Sequence, residues 1–356
     1  MTGRWWAKRK SAPDGLAGPK AEKSISLALQ GGGAHGAFTW GVLDEILEDG
    51  RLSIEAISGA SAGAMNAVVL AEGFLEGGVD GARRQLAQFW QKVSLDGSLT
   101  PLQRSVFDNF FGFWGTSAAP NFSWTEMLSQ VTSPYDLNPL NVNVLKDVVE
   151  DLISFDKVRR CENVRLFISA TNVRTGKIAI FENKVLTADH LMASACLPTL
   201  FQTVEIEGVP YWDGGFSGNP ALFPLFYETA CDDIILVQIN PIERWETPRS
   251  AREIQNRLTE INFNAGLLRE LRAVEFVTRL IDDGKLSKKE YKRVLMHRID
   301  ADQALKEESA DSRLDADWDF FQKLRDIGRS TASAWLKKNY DSIGKEATLD
   351  LRETIK

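Results

Sequence analysis

Apolar and polar residues alternate over 24–30, and the run ends on glycines, a pattern that predicts a strand followed by a turn. A short apolar run over 54–57 precedes small residues at 62–71, which predicts a second strand, a tight turn and a helix. A helix is also predicted between these two strands, because one helical face collects the apolar residues Phe38, Val42, Leu43 and Ile46.

Strand-like runs continue further along the chain, with one helical segment among them. Strands that alternate with helices predict an α/β domain with a largely parallel sheet, in which functional sites gather at the carboxyl ends of strands. The predicted strands are 164–170, 177–181, 201–206, 209–212 and 234–239, and the helix is 187–196.

The last third of the chain has a helical pattern instead. Two amphipathic helices are expected there to pack on the same chain, with a homodimer interface and a membrane contact as the alternatives. The two stripes are Leu267, Leu271, Val274, Val277 and Ile281, then Phe320, Leu324, Ile327, Thr331 and Ala334.

Composition narrows the function classes. The chain has 356 residues and a net charge of −7, so its overall charge gives no indication of nucleic-acid binding. Three cysteines without a C-x-x-C pair fit a reducing compartment and argue against a disulfide framework or a structural zinc site. We therefore expect a cytoplasmic protein without a metal or cofactor.

The N-terminal segment 1–23 is predicted to be a flexible, weakly basic tail. Its basic residues precede no apolar core, so they do not form a signal peptide, and no apolar run in the chain is long enough to span a membrane. Trp5 and Trp6 lie beside this basic cluster, which leaves open a peripheral contact with the inner membrane surface.

The glycine-rich loop at 31–36 comes directly after the first predicted strand. Consecutive backbone N–H groups in such a loop can bind an anion. The Gly-Lys-Ser/Thr of a P-loop is absent, and the dinucleotide G-x-G-x-x-G pattern is matched only loosely. An oxyanion hole is the third use, and it is favoured by a serine motif that lies one strand–helix unit later in the chain.

Gly-Ala-Ser-Ala-Gly at 59–63 has the G-x-S-x-G pattern and lies between a predicted strand and a predicted helix. This is the context of a nucleophile elbow, in which glycines such as Gly59 and Gly63 keep side chains away from a strained turn. The alternative is an ordinary Gly/Ser turn.

Two further segments are ambiguous when taken alone. Asp213, Gly214 and Gly215 come after a predicted hairpin, and a plain β-turn explains them as well as a catalytic carboxylate does. The aromatic-rich segment 106–124 fits an apolar lid that contacts lipid as well as it fits a loop packed on the core.

Three blocks together resemble the patatin-like phospholipase family: Gly-Gly-Gly-Ala-His-Gly at 31–36, Gly-Ala-Ser-Ala-Gly at 59–63 and Tyr-Trp-Asp-Gly-Gly at 211–215. The run at 193–198, with Asn219-Pro220 later in the chain, is similar to the link that surrounds the family's catalytic aspartate. The resemblance covers about 24–241 and departs at His35, where many members have Arg or Lys.

The resemblance implies a three-layer α/β/α catalytic domain over 24–245, with a mainly helical C-terminal extension over 246–356. It implies a lipid acyl hydrolase that cleaves phospholipid or lysophospholipid esters through a Ser61–Asp213 dyad and an acyl-enzyme. The supporting turns would include Gly59, Gly63, Gly214 and Gly215. The oxyanion donors would come from the amides of Gly31, Gly32, Gly33, Ala34 and Ala62.

Alternatives to this assignment remain. Ser61, Asp213 and His297 have the chain order of an α/β-hydrolase triad, although a structural role is the preferred expectation for His297. An acyltransferase would use the same acyl-enzyme with an acceptor other than water. A non-catalytic lipid-binding protein is the third alternative.

Overall fold

The computed structural model describes residues 15–94, 133–138, 141, 143–301 and 318–356. The aromatic segment 106–124 and residues 1–14 of the basic tail lie outside the described residues. The described strands are β1 (Leu16–Ala17), β2 (Lys23–Leu29), β3 (Leu52–Gly59), β4 (Arg165–Asn172), β5 (Ile178–Glu182), β6 (Val204–Ile206), β7 (Val209–Asp213), β8 (Asp233–Gln238) and β9 (Leu295–Asp300).

The described helices lie between and after these strands, and the helix over Ala62–Val93 is interrupted by a kink at Gly77 and Gly78, where the backbone is not helical. They are α1 (Gly36–Asp49), α2 (Ala62–Val93), α3 (Pro134–Leu137), α4 (Val144–Leu152), α5 (Phe155–Arg160), α6 (Ala188–Ser194), α7 (Phe223–Tyr227), α8 (Ala251–Asp282), α9 (Trp318–Asn339) and α10 (Leu351–Thr354).

All nine described strands belong to one mixed sheet. Its main path runs β6-β7-β4-β3-β2-β8-β9, while β1 pairs with β3 and β5 pairs with β4. The central strands β4, β3, β2, β8 and β9 are parallel, and the strands added at the edges are antiparallel. The expectation of a largely parallel sheet is confirmed.

Helices cover both faces of the sheet. Along β2, Leu27 and Leu29 belong to one buried cluster and Ala28 to another, because successive side chains of a strand point to opposite faces. The first cluster is completed by α1, α2 and α9, and the second by α7 and α8. The three-layer α/β/α architecture results directly from this alternation.

The strand β9 is not indicated by the local pattern. It comes after a charged segment, and it becomes a strand by pairing in parallel register with β8 far away in the chain. Strand formation depends strongly on such lateral pairing, which a local sequence pattern does not report. The C-terminal segment therefore contributes a strand to the sheet as well as helices.

The helix α9 packs closely on α1, as expected for C-terminal helices that pack on their own chain. Gly41 and Gly328 allow the approach: a Cβ at Gly41 would overlap the Arg325 carbonyl, and a Cβ at Gly328 would overlap the Phe38 carbonyl. Arg329 adds ion pairs to acidic residues of α1. Helix α9 thus forms part of the layer that carries α1, whereas α8 packs on the opposite face of the sheet.

None of the helices in the described ranges is long and apolar enough to cross a bilayer.

We predict that Gly328→Ala lowers the melting temperature. Helix propensity alone favours Ala over Gly by about 1 kcal/mol, but overpacking against the Phe38 carbonyl costs about 1–3 kcal/mol. The control is Ser333→Ala on the exposed face of the same helix, which gains helix propensity, by a smaller amount, without the overlap. A melting temperature that rises in Gly328→Ala would contradict the close contact of α9 with α1.

Candidate active site

Ser61 lies in the tight turn between β3 and α2. Its backbone has φ 52° and ψ −122°, a conformation that L-residues rarely adopt and that is typically maintained by surrounding contacts. The Ser61 amide donates a hydrogen bond to the Ser194 hydroxyl at 2.9 Å. Ser194 is the last residue of α6, so a helix from a distant part of the chain supports the turn.

Close contacts with neighbouring backbone atoms require glycine at the two positions that flank the Ala-Ser-Ala segment. A Cβ at Gly63 would overlap the Leu29 carbonyl, and a Cβ at Gly59 would lie 2.7 Å from the carbonyl carbon of Gly63. Real Cβ atoms do not approach that closely, so both positions exclude side chains. The G-x-S-x-G pattern therefore has a steric origin in this turn.

Asp213 is the last residue of β7, and hydrogen bonds of its backbone groups fix its position. Its amide donates to the Cys196 carbonyl at 2.8 Å, and its carbonyl accepts the Thr171 hydroxyl at 2.8 Å. The Asp213 carboxylate accepts the Gly215 amide through Oδ1 at 2.7 Å. A Cβ at Gly214 would lie 2.6 Å from the Ser169 hydroxyl oxygen, so this turn also excludes a side chain there.

Strand register brings Ser61 and Asp213 to the same level of the sheet. Gly59 pairs with Ile168 across β3 and β4, and Ala170 pairs with Asp213 across β4 and β7. Ser61 is two residues beyond Gly59, just as Ala170 is two residues beyond Ile168. The serine and the aspartate therefore converge although 152 positions separate them (213 minus 61).

Both side chains are fully buried, at 0% exposure. Burial raises the pKa of Asp213 to about 7, against smaller opposing effects of hydrogen bonding from the Gly215 amide and the Ser61 hydroxyl. The Ser61 contact is loose, because neither Ser61 Oγ nor Asp213 Oδ2 forms a hydrogen bond of ordinary geometry with any described residue. Such contacts often tighten only when a substrate is bound.

The raised pKa of Asp213 has a cost in stability. At a pH below the ordinary value of 3.8, the carboxyl group is protonated in both folded and unfolded chains, and folding is unaffected. As the pH rises from 3.8 to about 7, the folded chain retains a proton that the unfolded chain has lost, so stability falls. Above pH 7 the cost is complete, at roughly 4 kcal/mol for a shift of this size.

The glycine-rich loop lies directly against the serine. A Cβ at Gly31 would be 2.6 Å from the Cβ of Ser61, so only glycine permits the approach. Gly33 has φ 54°, in the left-handed region that favours glycine, and it begins the short 3-10 turn Gly33–His35 that leads into α1.

Most backbone amides of the expected oxyanion set are free of protein partners. The Gly31 amide is the exception, because it donates to the Asn219 side chain at 2.6 Å. Amides without a hydrogen bond to any described residue can receive a ligand oxygen instead. They belong to Gly32, Gly33, Ala34 and Ala62.

A small apolar cavity adjoins these amides. Its volume is about 20 Å³, which is enough for about one water molecule and far below the several hundred Å³ of a typical ligand pocket. A larger hollow of about 620 Å³ lies on the surface of α9 and is lined by none of the site residues. The small cavity is lined by Gly33, Ala62, Met65, Phe89, Trp90, Val93, Leu145 and Ala195.

His297 has partners other than the candidate site. Its Nε2 lies 3.0 Å from Asp233 Oδ1, and its Nδ1 lies 2.9 Å from the Thr348 hydroxyl. Asp233 begins β8 at the amino end of the strand, whereas Ser61 lies just beyond the carboxyl end of β3. This geometry matches the structural role expected for His297.

The other two histidines are also placed outside a triad. His35 is in the glycine loop, where burial lowers its pKa to about 4, so the ring is neutral at pH 7. Glu260 opposes this shift and Arg244 adds to it. His190 contacts the Thr187 hydroxyl at 2.8 Å through Nδ1.

Within the described ranges, no group of three or more His, Cys, Asp or Glu side chains is arranged to hold a metal ion. The raised pKa of the Cys196 thiol, about 12 because of burial, also makes it a poor metal ligand and nucleophile.

Comparison with known proteins identifies the family. The family model described as patatin-like phospholipase matches residues 27–226, which is more than half of the chain. The chain belongs to the patatin-like phospholipase family. This assignment makes it a lipid acyl hydrolase, and the matched segment contains the glycine loop, Ser61 and Asp213.

Among solved structures, VipD from Legionella pneumophila is similar with a TM-score of 0.40 and 13% identity, over 95% of this chain and 72% of VipD. A chain of the full-length SpcU–ExoU complex from the type III secretion system of Pseudomonas aeruginosa gives a TM-score of 0.26 and 15% identity, over 98% of this chain and 84% of that one. A search of curated proteins found no significant match.

Some residues of this patatin-like site are not indicated by any local pattern. Ser194 supports the elbow, and Ser169 donates to the carbonyls of Gly59 and Gly218 at 3.3 and 3.1 Å. Serines in a helix and a strand carry no signal of such contacts. Only the family resemblance, through the run at 193–198 and the Asn219-Pro220 pair, draws attention to this part of the chain.

We predict that His297→Gln keeps esterase activity while losing thermal stability. His297 contacts Asp233 and Thr348 rather than the site, so kcat should stay within about threefold of wild type. The measurement is hydrolysis of p-nitrophenyl octanoate below the melting temperature of the variant. A folded His297→Gln protein that has lost activity by roughly a thousandfold or more would instead support a Ser-His-Asp triad.

Proposed function

We propose that this patatin-like protein hydrolyses the carboxylic esters of membrane lipids through a Ser61–Asp213 dyad. The observation that supports it most is the burial of both side chains together: Ser61 Oγ and Asp213 Oδ2 have no other described partner. Buried polar atoms are normally paired, and exceptions call for a specific explanation. A dyad that awaits its substrate supplies one.

In the proposed first step, Ser61 Oγ attacks the ester carbonyl carbon and its proton passes to Asp213. Collapse of the tetrahedral intermediate breaks the ester C–O bond, and the alcohol leaves with the proton that Asp213 holds. Water then attacks the acyl-enzyme, with Asp213 as general base, and fatty acid is released. The carboxylate therefore cycles between base and acid.

A raised pKa makes Asp213 suitable as a general base and general acid in this mechanism. An aspartate of ordinary pKa is a weak base at pH 7, whereas a group whose pKa is near the working pH accepts and returns a proton efficiently. Burial supplies this change, since it raises the pKa of Asp213 to about 7. The loss of folding stability at higher pH is the structural cost of that function.

The oxyanion of the tetrahedral intermediate would be stabilised by backbone amides. Gly33 and Ala62 line the same small cavity, and Ala62 directly follows Ser61 at the start of helix α2. The free amides and the positive end of the helix dipole both favour a developing negative charge. Loss of one such donor typically costs about 10²–10³ in rate.

The apolar cavity beside these amides supports an acyl chain as the group bound. Its walls are aliphatic and aromatic side chains, among them Phe89 and Trp90. Because the cavity holds only about one water molecule, the walls must separate before an acyl chain can enter. We infer that substrate binding includes an opening step.

Transient contact with a membrane surface belongs to the same proposal. Along α8, Ile254, Leu258 and Ile261 are exposed at helical spacing, and Trp245 nearby is 86% exposed. The same helix places Phe263 beside Gly215, next to the catalytic aspartate proposed here. An exposed apolar helix face close to the site would bring the enzyme to its lipid substrate.

We predict that Ser61→Ala and Asp213→Asn each reduce lipid ester hydrolysis by roughly a thousandfold or more at pH 8, because each removes one member of the dyad. Fatty acid released from phospholipid vesicles is the measurement. Ser61→Ala should also lose labelling by a fluorophosphonate. The matched control is Ser58→Ala, a buried serine whose hydroxyl donates to the Ala221 carbonyl, and it should remain active.

Continued labelling of Ser61→Ala by the fluorophosphonate, or continued turnover, would contradict the proposed function. The product distribution separates hydrolysis from acyl transfer: added lysolipid or alcohol should leave free fatty acid as the main product. Acylated acceptor as the main product would instead identify an acyltransferase. Vesicle binding without any turnover in the wild type would identify a lipid-binding protein.

A further inference from the structure

Four buried carboxamide side chains surround the peptide that precedes the free amides of the glycine loop. They come from separate parts of the chain: the residue after β2, the segment after Asp213, the segment after β8, and α8. Their exposures are 5% or less. They are Gln30, Asn219, Asn240 and Asn264.

The peptide groups of Gly31 are held on both sides. Asn219 accepts the Gly31 N–H through Oδ1 at 2.6 Å and donates from Nδ2 to the Gly31 carbonyl at 3.3 Å. Asn240 donates to the same carbonyl at 2.6 Å. Because these groups are buried, rotating the Gly31 peptide would leave several of them unsatisfied. We call Asn219 and Asn240, with their hydrogen bonds to the Gly31 peptide groups, the Gly31 clamp.

Gln30 connects the Gly31 clamp to the rest of the sheet. Its Oε1 accepts the backbone amides of Ile239 and Asn240, both at 2.9 Å. Its Nε2 donates to Asn264 Oδ1 at 3.1 Å, which reaches α8. Buried networks of this kind rigidify the backbone when every member is satisfied.

The clamp lies immediately before the free amides in the chain. Gly32 and Gly33 are the next two residues after Gly31, and their amides are the donors that the proposed mechanism uses. Glycines have wide conformational freedom, so two in succession do not by themselves fix the direction of their N–H groups. A fixed Gly31 peptide supplies the direction.

We propose that Asn219, assisted by Asn240, is a positioning residue for the oxyanion hole. It acts through Gly31: the clamp aims the next two amides at the oxygen of the tetrahedral intermediate, and Asn219 itself touches no substrate. The inference rests on the proposed function. Beyond that function, the inference states that stabilisation of the transition state depends on the side-chain amides of Asn219 and Asn240, which contact Gly31 rather than the substrate.

The test compares kcat, KM and the inhibition constant of an octyl trifluoromethyl ketone, which forms a tetrahedral adduct on serine. In Asn219→Ala, kcat for p-nitrophenyl octanoate should fall roughly 10–100-fold, and the inhibitor should weaken in proportion. KM should stay within about threefold, because the ester ground state does not use the oxyanion donors fully. Asn240→Ala should show the same split with a smaller change.

Asn183→Ala is the matched control. Asn183 is buried and holds a backbone in the same way, accepting the Leu166 amide at 2.7 Å and donating to the Val164 carbonyl at 3.0 Å. It does so at the amino end of β4, away from Ser61. We expect a lower melting temperature in this variant with kcat, KM and inhibitor affinity unchanged.

The positioning role is overturned if folded Asn219→Ala behaves like Asn183→Ala, or if only its KM changes. If Asn219→Ala does not fold, Asn240→Ala decides by the same comparison. Failure of the underlying function would differ, since Ser61→Ala would then still turn over the ester. If Ser61→Ala is inactive but Asn219→Ala and Asn240→Ala keep the wild-type kcat, the positioning role is wrong and the proposed function stands.

Discussion

The proposed chemistry of this protein depends above all on one buried carboxylate. Asp213 is removed from water, no positively charged side chain among the described residues offsets its burial, and the only groups that favour its ionised form are the Gly215 amide and the Ser61 hydroxyl. Desolvation outweighs these hydrogen bonds and raises the pKa of Asp213 to about 7. In the proposed mechanism, the same burial that weakens the fold above that pH would make the group a competent base for the serine beside it.

The scaffold around this carboxylate explains why the surrounding residues are so small. Parallel β2, β3 and β4 deliver the glycine loop, the elbow and the partner strand of Asp213 to one edge of the sheet, as expected for α/β folds. The loops meet there at distances that exclude a Cβ at Gly31, Gly59, Gly63 and Gly214. Carboxamide side chains then satisfy the backbone groups that this close packing removes from water.

Much of this organisation is visible in the sequence. An alternating pattern predicts β2, apolar strand-like runs predict β3, β4 and β8, and the glycine-flanked motifs mark the positions where strands turn into helices. Strand β9 is not predicted, because its stability comes from pairing with β8 rather than from its own pattern. Ser194 and Gln30 are likewise not indicated, since their contacts join segments distant in the chain and a single polar residue has no periodicity. The family resemblance, rather than composition, points to Asp213, because an Asp-Gly-Gly turn alone has no special meaning.

The most direct test of the central claim is the pH dependence of fluorophosphonate labelling at Ser61. If Asp213 must be ionised to accept the Ser61 proton, the labelling rate of wild type should rise with pH, level off above about 7, and fall about tenfold for each pH unit below it. Glu270 is the control, since burial raises its pKa to about 7 as well. Its carboxylate accepts the amides of Leu222 and Phe223 rather than the Ser61 hydroxyl, so Glu270→Gln should keep the wild-type profile. Asp213→Asn should be slow and independent of pH between 5 and 9. A wild-type profile that is flat through pH 7, or a titration that survives in Asp213→Asn and disappears in Glu270→Gln, would contradict the account.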